Sequence, residues 1–360
     1  MSWLSFLIIF LITSILSFGF TFIIRKIALK LKLFDLPSPR RIHKIPIPRL
    51  GGIGIFLSFL IMVLFFTTKL GGNFLILDKH LIGFLSGATL LVFVMIFDDL
   101  YGLSPWIKIF WQLIAALIII IFGIGINFLT NPFGGAIHLD FYQIPVVLFG
   151  ITYHINVIND LFTIVWIIGV INITNFLDGI DGLAAGISAI AAFIIFILSI
   201  FIKQPDIALL AIILAGSAFG FLFLNFNPAK IFMGDSGSHF LGFSLAVLAI
   251  ISGGKVATAF LVLGLPIIDG AWVALNRIFQ KKSPFKADKS HFHHKLLDLG
   301  FSQRQIVLLF YFISFVFGIS ALFLKGIQKF LILIILIAIA LITVGFLVGK
   351  IEKIKFKDNK

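Results

Sequence analysis

The sequence predicts an all-α, polytopic integral membrane protein. Three observations support this prediction: the high hydrophobicity, the long apolar runs and the placement of the charged residues. Of the 360 residues, 60% are hydrophobic and only 12% are charged, and the mean hydropathy is +1.17. This composition lies far outside the range of water-soluble domains. Most of the chain is therefore expected to lie in lipid.

Apolar runs define the predicted helices, because about 20 apolar residues are needed to cross roughly 30 Å of hydrocarbon. About eleven runs approach this length. The fifth and eighth are the least regular, because they are short and carry glycine or polar residues. An odd number of spans places the termini on opposite sides of the membrane. The runs lie near residues 3–24, 50–67, 81–97, 107–126, 161–176, 183–202, 206–224, 237–252, 256–275, 306–324 and 329–349.

Basic residues orient the chain. Most of the 28 Lys and Arg residues fall in segments that share one predicted side, and an excess of such residues marks the cytoplasmic side. We therefore predict an N-terminus outside and a cytoplasmic C-terminus in the inner (plasma) membrane. No domain boundary is visible, so residues 1–360 are expected to form one transmembrane domain. The predicted cytoplasmic segments are residues 25–49, 98–106, 177–182, 225–236 and 277–305, with a basic tail at 350–360.

Charge and cysteine content exclude several kinds of site. The net charge is +13, but the basic residues cluster between apolar runs and do not form a patch with interleaved aromatic residues. We therefore expect no nucleic-acid binding. The chain has no cysteine, which excludes disulfides, thiolate metal sites and thiol nucleophiles. Any metal must be bound by oxygen or imidazole.

Aspartates collect at one predicted membrane surface. Asp98 and Asp99 end the third run, Asp178 and Asp181 follow the fifth, and Asp235 precedes the eighth. In these short loops the acids outnumber basic residues and would repel one another, so a cation or a cationic side chain is expected to join them. Other aspartates at run ends are expected only to mark the water interface: Asp78, Asp140, Asp160 and Asp206.

The local sequence around these acids favours a hard metal ion. Asn172, Asn175 and Asp178 follow one another at three-residue spacing, which places them on one helical face. The glycine-containing turn around Asp235 opens a helix, where free backbone N–H groups attract phosphate. Mg²⁺ keeps few protein ligands and shares the rest of its coordination sphere with water and substrate phosphate. The segment around Asn175 and the segment around Asp235 together predict a Mg²⁺ ion that faces a diphosphate, with Mn²⁺ as the alternative ion.

A basic segment near the C-terminal end carries His291, His293 and His294. A zinc site would need a fourth ligand at a familiar spacing, and the neighbouring cations disfavour it. We predict that these histidines contact phosphate or sugar, with a solvated basic loop as the alternative.

Pro266 lies inside the ninth run. It removes an internal hydrogen bond and is expected to bend the helix, which either opens a groove toward lipid or leaves a harmless kink. Asp269, one turn later, has no assigned role.

In this order and on one predicted membrane face, the motifs resemble those of the polyprenyl-phosphate N-acetylhexosamine-1-phosphate transferases (glycosyltransferase family 4). This superfamily includes the peptidoglycan MurNAc-pentapeptide translocase and the WecA/TagO-like enzymes. The resemblance covers most of the chain. The matching strings are residues 48–52, 98–99, 102–108, 175–183, 225–237 and 290–295.

The resemblance implies a role for each motif. Asn175 and Asp235 would hold Mg²⁺, while Asp98 and Asp99 would serve the lipid phosphate, one as a base and the other in the outer coordination sphere of the ion. Lys108 would bind phosphate. The remaining implied contacts are with the nucleotide (Asp178, Asp181, Asn225 and Phe232) and with the sugar or diphosphate (His291, His293 and His294).

Three features resemble the WecA/TagO-like branch: residues 49–52, the short link between Asp99 and Lys108, and residues 295–300. This branch implies transfer of GlcNAc-1-phosphate from UDP-GlcNAc to undecaprenyl phosphate in the bilayer, with release of UMP. The product would start synthesis of a cell-envelope glycan such as lipopolysaccharide or teichoic acid. Another UDP-HexNAc donor, a MurNAc-pentapeptide donor and a homodimer are left open, as are a one-step displacement and a two-step route through a phospho-aspartate.

Three other classes of membrane protein fit the sequence less well. An ion-coupled secondary transporter is the non-enzyme alternative, but such proteins bind their ions near the bilayer midplane at broken helices, whereas these acids gather at one surface. A metalloprotease of the His-Glu-x-x-His type is excluded because Glu352 is the single glutamate. The sequence after Asp181 lacks the arginine of the CDP-alcohol phosphotransferase pattern.

Overall fold

The computed structural model describes residues 1–35, 45–72, 74–131, 133–139, 143–148, 151–252, 256–279, 292–324, 326–336 and 338–339. Helices dominate this part of the chain. In chain order they are α1 (Trp3–Lys30), α2 (Gly51–Thr67), α3 (Lys79–Tyr101), α4 (Pro105–Ile121), α5 (Val157–Leu177), α6 (Leu183–Phe201), α7 (Pro205–Asn225), α8 (Gly234–Ile251), α9 (Val256–Val262), α10 (Gly264–Phe279), α11 (Phe292–Asp298), α12 (Gln303–Phe323) and α13 (Ile327–Leu336).

Seven of the described helices are long and apolar enough to cross a membrane, namely α1, α3, α5, α6, α7, α8 and α12. The apolar helices α2, α4 and α13 are shorter. Every predicted apolar run overlaps at least one helix. The structure confirms a helical, polytopic architecture, whereas the eleven spans, the single domain, the loop boundaries and the sides of the termini stay predictions.

Short antiparallel hairpins make the all-α description incomplete. The strands β1 (Phe34–Asp35) and β2 (Ile47–Pro48) pair before α2. Between α4 and α5, β3 (Phe128–Thr130) pairs with β4 (Ala136–His138), and β5 (Gln143–Leu148) pairs with β6 (Ile151–Asn156). The last pair is rich in valine, isoleucine and threonine, which favour strands in a segment too polar and too interrupted to continue a helix.

Helix α8 lies at the centre of the bundle, packed against α2, α3, α5, α6 and α7. Of its membrane-spanning residues 89% are buried, against 28% in α1, which faces outward. Small residues allow this close packing. A Cβ atom on Gly52 of α2 would overlap the backbone of Gly237, so α2 and α8 cross at a pair of glycines.

Main-chain hydrogen bonds join the start of α2 to the loop that precedes α8. The Gly51 and Gly52 N–H groups donate to the carbonyls of Phe232 (2.9 Å) and Met233 (2.8 Å), and the Phe232 N–H donates to the Pro48 carbonyl (2.8 Å). The first turn of α8 is therefore held from the side of α2 before any side chain contributes.

The ninth predicted run is divided into α9 and α10, with Leu263 between them. The interruption precedes Pro266, which is the third residue of α10. In the first turn of a helix the missing proline N–H has no helical partner to lose, so the proline starts a new helix. The predicted bend is found three residues earlier, and a groove toward lipid stays a prediction.

Candidate active site

Four residues predicted for the site converge at one end of the bundle, which we call the site end. Asp98 and Asp99 lie in the last turn of α3, Lys108 in the first turn of α4 and Asp235 in the first turn of α8. One carboxylate oxygen from each of the three aspartates lies within 4.8 Å of the others. The acids that the sequence placed on one surface thus form a single cluster.

Lys108 is the cationic side chain that joins the acids. Its Nζ donates to Asp98 Oδ2 at 2.7 Å and to Asp235 Oδ2 at 2.6 Å. The other oxygen of Asp98 accepts from the Leu103 N–H at 2.7 Å, which fixes the turn between α3 and α4. Lys108 therefore bridges two helix ends, and its predicted contact with phosphate stays a prediction.

Asp99 builds the start of α8. Its Oδ1 accepts from the Asp235 N–H (2.8 Å), and its Oδ2 accepts from the N–H (3.1 Å) and the hydroxyl (2.7 Å) of Ser236. A carboxylate in this position satisfies the unpaired N–H groups of a helix terminus and complements its dipole. Gly234 permits the contact, because its φ is +77° and a Cβ atom there would lie 2.5 Å from Asp99 Oδ2. Asp99 consequently orients Asp235.

Asn175 reaches the same turn of α8 from α5. Its Nδ2 donates to Ser238 Oγ at 2.9 Å, one turn beyond Asp235. Carboxylate and amide oxygens are the donors that hard divalent cations prefer, so the residues present fit such an ion. The cluster is a candidate divalent-cation site, while ligation by Asn175 and Asp235 in particular stays a prediction.

A cavity of about 430 Å³ opens beside the cluster, within the usual size range of small-molecule sites. Gly234 belongs to both, because it lines the cavity and touches Asp99. The residues predicted to contact donor substrate that line it are Asp178, Asp181, Asn225, Phe232 and His294. The structure therefore gathers all four predicted nucleotide residues, and one of the three predicted sugar or diphosphate residues, around one space.

Asp181 and Asn225 hold two walls of this cavity together. Asp181 Oδ2 accepts from Asn227 Nδ2 (2.9 Å) and the Ala229 N–H (3.0 Å). Asn225 is 2% exposed, and its amide accepts from the Gly182 N–H (3.0 Å) and donates to the Ile231 carbonyl (3.0 Å). Both ends of the Asn225 amide thus stabilise the fold, and its predicted contact with uridine stays a prediction.

Asp178 experiences the excess of negative charge. Burial, followed by the charges of Asp235 and Asp99, raises its pKa well above the ordinary range of a carboxyl group, and the guanidinium of Arg49 opposes this shift only partly. Because the acids here outweigh the fixed cations, a positively charged ligand at the site end would relieve repulsion.

Arg49 was not among the residues predicted for the site. This residue lies directly after β2, lines the cavity, and places its Nε 3.3 Å from Asp35 Oδ1. Gln303 and Asn227 also line the cavity and were missed, and they are linked through their side-chain amides at 3.1 Å. A readable signal existed for Arg49, since it lies two residues before the glycine pair that opens α2.

Gln112 and His239 were also missed. Both lie in apolar helices, α4 and α8, and are 1% exposed. Their signal was readable too, because polar side chains inside an apolar span are costly and usually functional.

The histidine segment is described only in part. His291 lies outside the described residues, and so does the side chain of His293, whereas His294 lines the cavity. The Phe292 N–H donates to Asp269 Oδ1 at 2.8 Å. Asp269, which had no assigned role, therefore tethers the start of α11 to α10.

Comparisons with known proteins identify a family and relatives that this chain resembles. The model of the family described as Glycosyl transferase family 4 matches residues 81–253. A probable undecaprenyl-phosphate N-acetylglucosaminyl 1-phosphate transferase of Bacillus subtilis (strain 168) is 33% identical over 334 residues, which cover 89% of this chain and 86% of the relative.

Two further relatives are more distant. A decaprenyl-phosphate N-acetylglucosaminephosphotransferase of Mycobacterium leprae is 30% identical over 320 residues, covering 84% of this chain and 79% of the relative. An undecaprenyl-phosphate alpha-N-acetylglucosaminyl 1-phosphate transferase of Yersinia pestis is 26% identical over 305 residues, covering 81% and 77%. The similarity therefore extends over most of the chain.

Proposed function

Because the chain belongs to glycosyl transferase family 4, we propose that it transfers N-acetylglucosamine-1-phosphate from UDP-GlcNAc to undecaprenyl phosphate and releases UMP. The product is a lipid-linked diphosphate sugar. The names of the relatives support this sugar and this class of lipid. The observation that carries the proposal is the cluster of Asp98, Asp99, Asp235 and Lys108 at the ends of apolar helices, directly beside a cavity.

The cavity is the proposed donor site. Arg49 and His294 line it, and the first supplies positive charge for a diphosphate while the second offers a ring nitrogen for hydrogen bonding. Phe232 is half-buried on the wall and offers an aromatic face for the uracil. Asp181 supports the cavity wall through its hydrogen bonds with Asn227 and Ala229, and Asp178 lines the same cavity.

Asp235 and Asn175 are the proposed ligands of Mg²⁺, and Mn²⁺ is the alternative ion. The ion would neutralise the charge that develops on the diphosphate as UMP leaves. Asp99 would remain in the outer coordination sphere, because its oxygens already accept hydrogen bonds from the first turn of α8. Its part in the reaction is to hold Asp235 in place.

Lys108 is proposed to hold the phosphate of the lipid. An oxygen of that phosphate forms a bond with the sugar-linked phosphorus, and the bond from that phosphorus to UMP breaks. A phosphate dianion is nucleophilic without further deprotonation, so Asp98 is assigned to orienting Lys108 rather than to removing a proton. Their contact at 2.7 Å supports this assignment. Positioning and electrostatic stabilisation then supply most of the acceleration.

The reaction is proposed to take place at the cytoplasmic face of the plasma membrane. The basic residues of the predicted cytoplasmic segments support this side. The lipid chain of the acceptor would lie along the apolar helices, with its phosphate at the site end. Assembly into a homodimer stays a prediction.

The test is turnover by the full-length protein in lipid nanodiscs containing undecaprenyl phosphate. UMP release is followed with UDP-GlcNAc, UDP-GalNAc or UDP-MurNAc-pentapeptide, with Mg²⁺ or with EDTA. We expect release from UDP-GlcNAc alone, dependent on both the lipid and the ion, and restored when Mn²⁺ replaces Mg²⁺.

Each other outcome is informative. Turnover of the pentapeptide donor would retain the site and overturn the choice of sugar. UMP release that continues in EDTA would overturn the metal assignment. Folded protein that is silent with every donor would overturn the proposed function.

A further inference from the structure

Behind the clustered acids, a chain of buried hydrogen bonds links three helices. Asn172 of α5 donates from Nδ2 to Gln112 Oε1 of α4 at 2.8 Å. Gln112 Nε2 lies 3.0 Å from His239 Nε2 of α8, and His239 Nδ1 lies 2.9 Å from the carbonyl oxygen of Asp235. The chain therefore ends on the backbone of an aspartate in the proposed site.

The direction of every hydrogen bond in this chain is fixed by the carbonyl groups at its two ends. Asn172 Nδ2 also donates to the Ile168 carbonyl at 2.8 Å, so Gln112 must present its oxygen to Asn172 and its nitrogen to His239. His239 Nε2 must then accept. The Asp235 carbonyl can only accept, so the proton of His239 is on Nδ1 and the ring is neutral. Each polar atom in the path is satisfied.

This chain of hydrogen bonds creates a second link between α4 and α8. Lys108 and Gln112 are four residues apart on α4, and Asp235 and His239 are four residues apart on α8, so each pair shares a helix face. We call the Lys108–Asp235 contact the site rung and the Gln112–His239 contact the buried rung. Because α4 packs mainly against α3 and α5, these long side chains supply its connection to α8.

The two rungs differ in their access to solvent. The side chains of Lys108 and Asp235 are 25% and 16% exposed, whereas Gln112 and His239 are each 1% exposed. A phosphate or a cation that enters the site must compete for the partners of the site rung. The buried rung faces no such competition, and in a low-dielectric interior its hydrogen bonds are costly to break.

We propose that the buried rung holds α4 and α8 at a fixed separation while the site rung exchanges its partners for substrate and ion. His239 and Gln112 are thus positioning residues for Lys108 and Asp235. This inference rests on the proposed function, because it assigns the exchange to phosphoryl transfer. It also predicts an effect on cation binding that does not depend on the identity of the donor.

Two substitutions of His239 separate the effect of the buried rung from that of the contact between His239 and the Asp235 carbonyl. The amide of a glutamine reaches the position of His239 Nε2, so His239→Gln can still accept from Gln112. The amide of an asparagine reaches only the position of Nδ1, so His239→Asn keeps the contact with the Asp235 carbonyl and loses the rung. Gln112→Leu removes the buried rung from the α4 side. If the leucine variant does not fold, Gln112→Met is used in its place.

The matched control is Ser244→Ala, which removes another fully buried polar group from α8. The Ser244 hydroxyl has no hydrogen-bond partner in the described part of the chain. Its loss therefore tests burial and folding without touching the rung.

The experiment measures kcat and KM for UDP-GlcNAc and, separately, Mn²⁺ binding by electron paramagnetic resonance, with full-length protein in nanodiscs. We expect His239→Asn and Gln112→Leu to lower kcat by about 10²-fold with little change in KM, as expected for a small misplacement of catalytic groups. Mn²⁺ affinity should fall about tenfold, corresponding to one decade in the binding constant. His239→Gln should stay within about threefold of wild type on both measures, and Ser244→Ala should match wild type.

Equal losses in His239→Gln and His239→Asn would overturn the inference, as would folded His239→Asn and Gln112→Leu variants with wild-type kcat and Mn²⁺ affinity. A wild-type protein that binds Mn²⁺ without turning over UDP-GlcNAc would reject the proposed function, and Mn²⁺ binding would still test the rung. A wild-type protein that neither binds Mn²⁺ nor turns over would reject both.

Discussion

The two ends of α3 use acidic residues in different ways. At the far end, Asp78 precedes the helix and accepts from the Leu81 N–H (2.9 Å) and His80 Nδ1 (3.0 Å). Burial acts to raise the pKa of Asp78, but these hydrogen bonds outweigh it and lower that pKa. At the site end, Asp98 and Asp99 meet charged side chains from other helices. The acid at the far end caps its own helix, whereas the acids at the site end repel one another and are partly balanced by cationic side chains from other parts of the chain.

Each end also has a cavity, and the two are similar in size. The far-end cavity measures about 480 Å³ and the site-end cavity about 430 Å³. The far-end cavity is lined mainly by apolar residues such as Phe84 and Leu210, with Asp78 and Asp206 at its wall. Cavity volume therefore does not distinguish the proposed active site from the far end of the bundle. Convergence of charged groups from several helices does.

The largest expected effect on kcat comes from replacing one aspartate with asparagine at the site end, with the same replacement at the far end as the comparison. Asp235→Asn should lower kcat by about 10³-fold, because it removes a proposed ligand and the partner of Lys108. Asp206→Asn at the far end should leave kcat unchanged. UMP release in nanodiscs measures both variants. Equal losses would remove the functional difference between the ends.

Lys108→Met should lower kcat by about 10²-fold while tightening the binding of Mn²⁺ in the absence of substrate. The physical reason is that Lys108 Nζ occupies oxygens of Asp98 and Asp235, so its removal frees those oxygens for a cation. Turnover and electron paramagnetic resonance give the two values. Weaker Mn²⁺ binding in this variant would show that Lys108 does not compete with the ion.

A glycine pair gives a smaller and mainly structural contrast. Both Gly234 and Gly135 have positive φ, +77° and +76°. A Cβ atom at Gly234 would strike the Asp99 carboxylate, whereas one at Gly135 would meet nothing within 4 Å. Gly135→Ala should cost about 1 kcal/mol of backbone strain without loss of turnover.

Gly234→Ala should add displacement of Asp99 to the same strain and lower kcat about tenfold or more. Thermal unfolding and UMP release measure the two contributions. Identical behaviour of the two alanine variants would contradict the role given to Asp99 at the start of α8.

The smallest effects concern stability. Because burial and neighbouring acids raise the pKa of Asp178 in the folded protein, the fold loses stability as the pH rises from the ordinary carboxyl pKa to this raised pKa. Asp178→Asn should therefore raise the Tm in EDTA at pH 8 and have little effect at low pH, where the wild-type carboxyl is protonated. Asp78→Ala should instead lower stability by about 1 kcal/mol at neutral pH, because it removes a helix cap. A shift in the same direction for both variants would contradict the contrast between the two ends.

Much of the site could be predicted from the sequence because long apolar helices restrict where their ends lie. Asp98 ends the third apolar run and Asp235 precedes the eighth, so one choice of topology brought them to one surface. Lys108 was predicted as a phosphate contact, and its bridge between Asp98 and Asp235 appears only with the register of α4 against α8.

Other features depended on packing that a single sequence does not encode locally. The Gln112–His239 contact joins different helices, and its partners are fixed by the crossing of α4, α5 and α8. The strands β3 and β4 have three residues each, too few for a clear alternating pattern, whereas β6 does alternate apolar and polar residues, a signal that was missed. The tether from Asp269 to Phe292 likewise requires the chain to return to α10 after a basic segment.

The cavity walls and the aspartate cluster come from different stretches of chain, and this separation bears on resistance to inhibitors. Ile45, Ile47 and Arg49, together with residues 178–181 and 227–229, line the cavity, while none of the three clustered aspartates is among its lining residues in the described structure. A compound confined to the cavity would also contact residues that have no proposed contact with substrate, such as Ile45 and Ile47, and substitutions there need not affect phosphoryl transfer. A compound that also contacts Asp98 and Asp235 would leave the cell few escape mutations, because replacing either residue would impair the enzyme it needs.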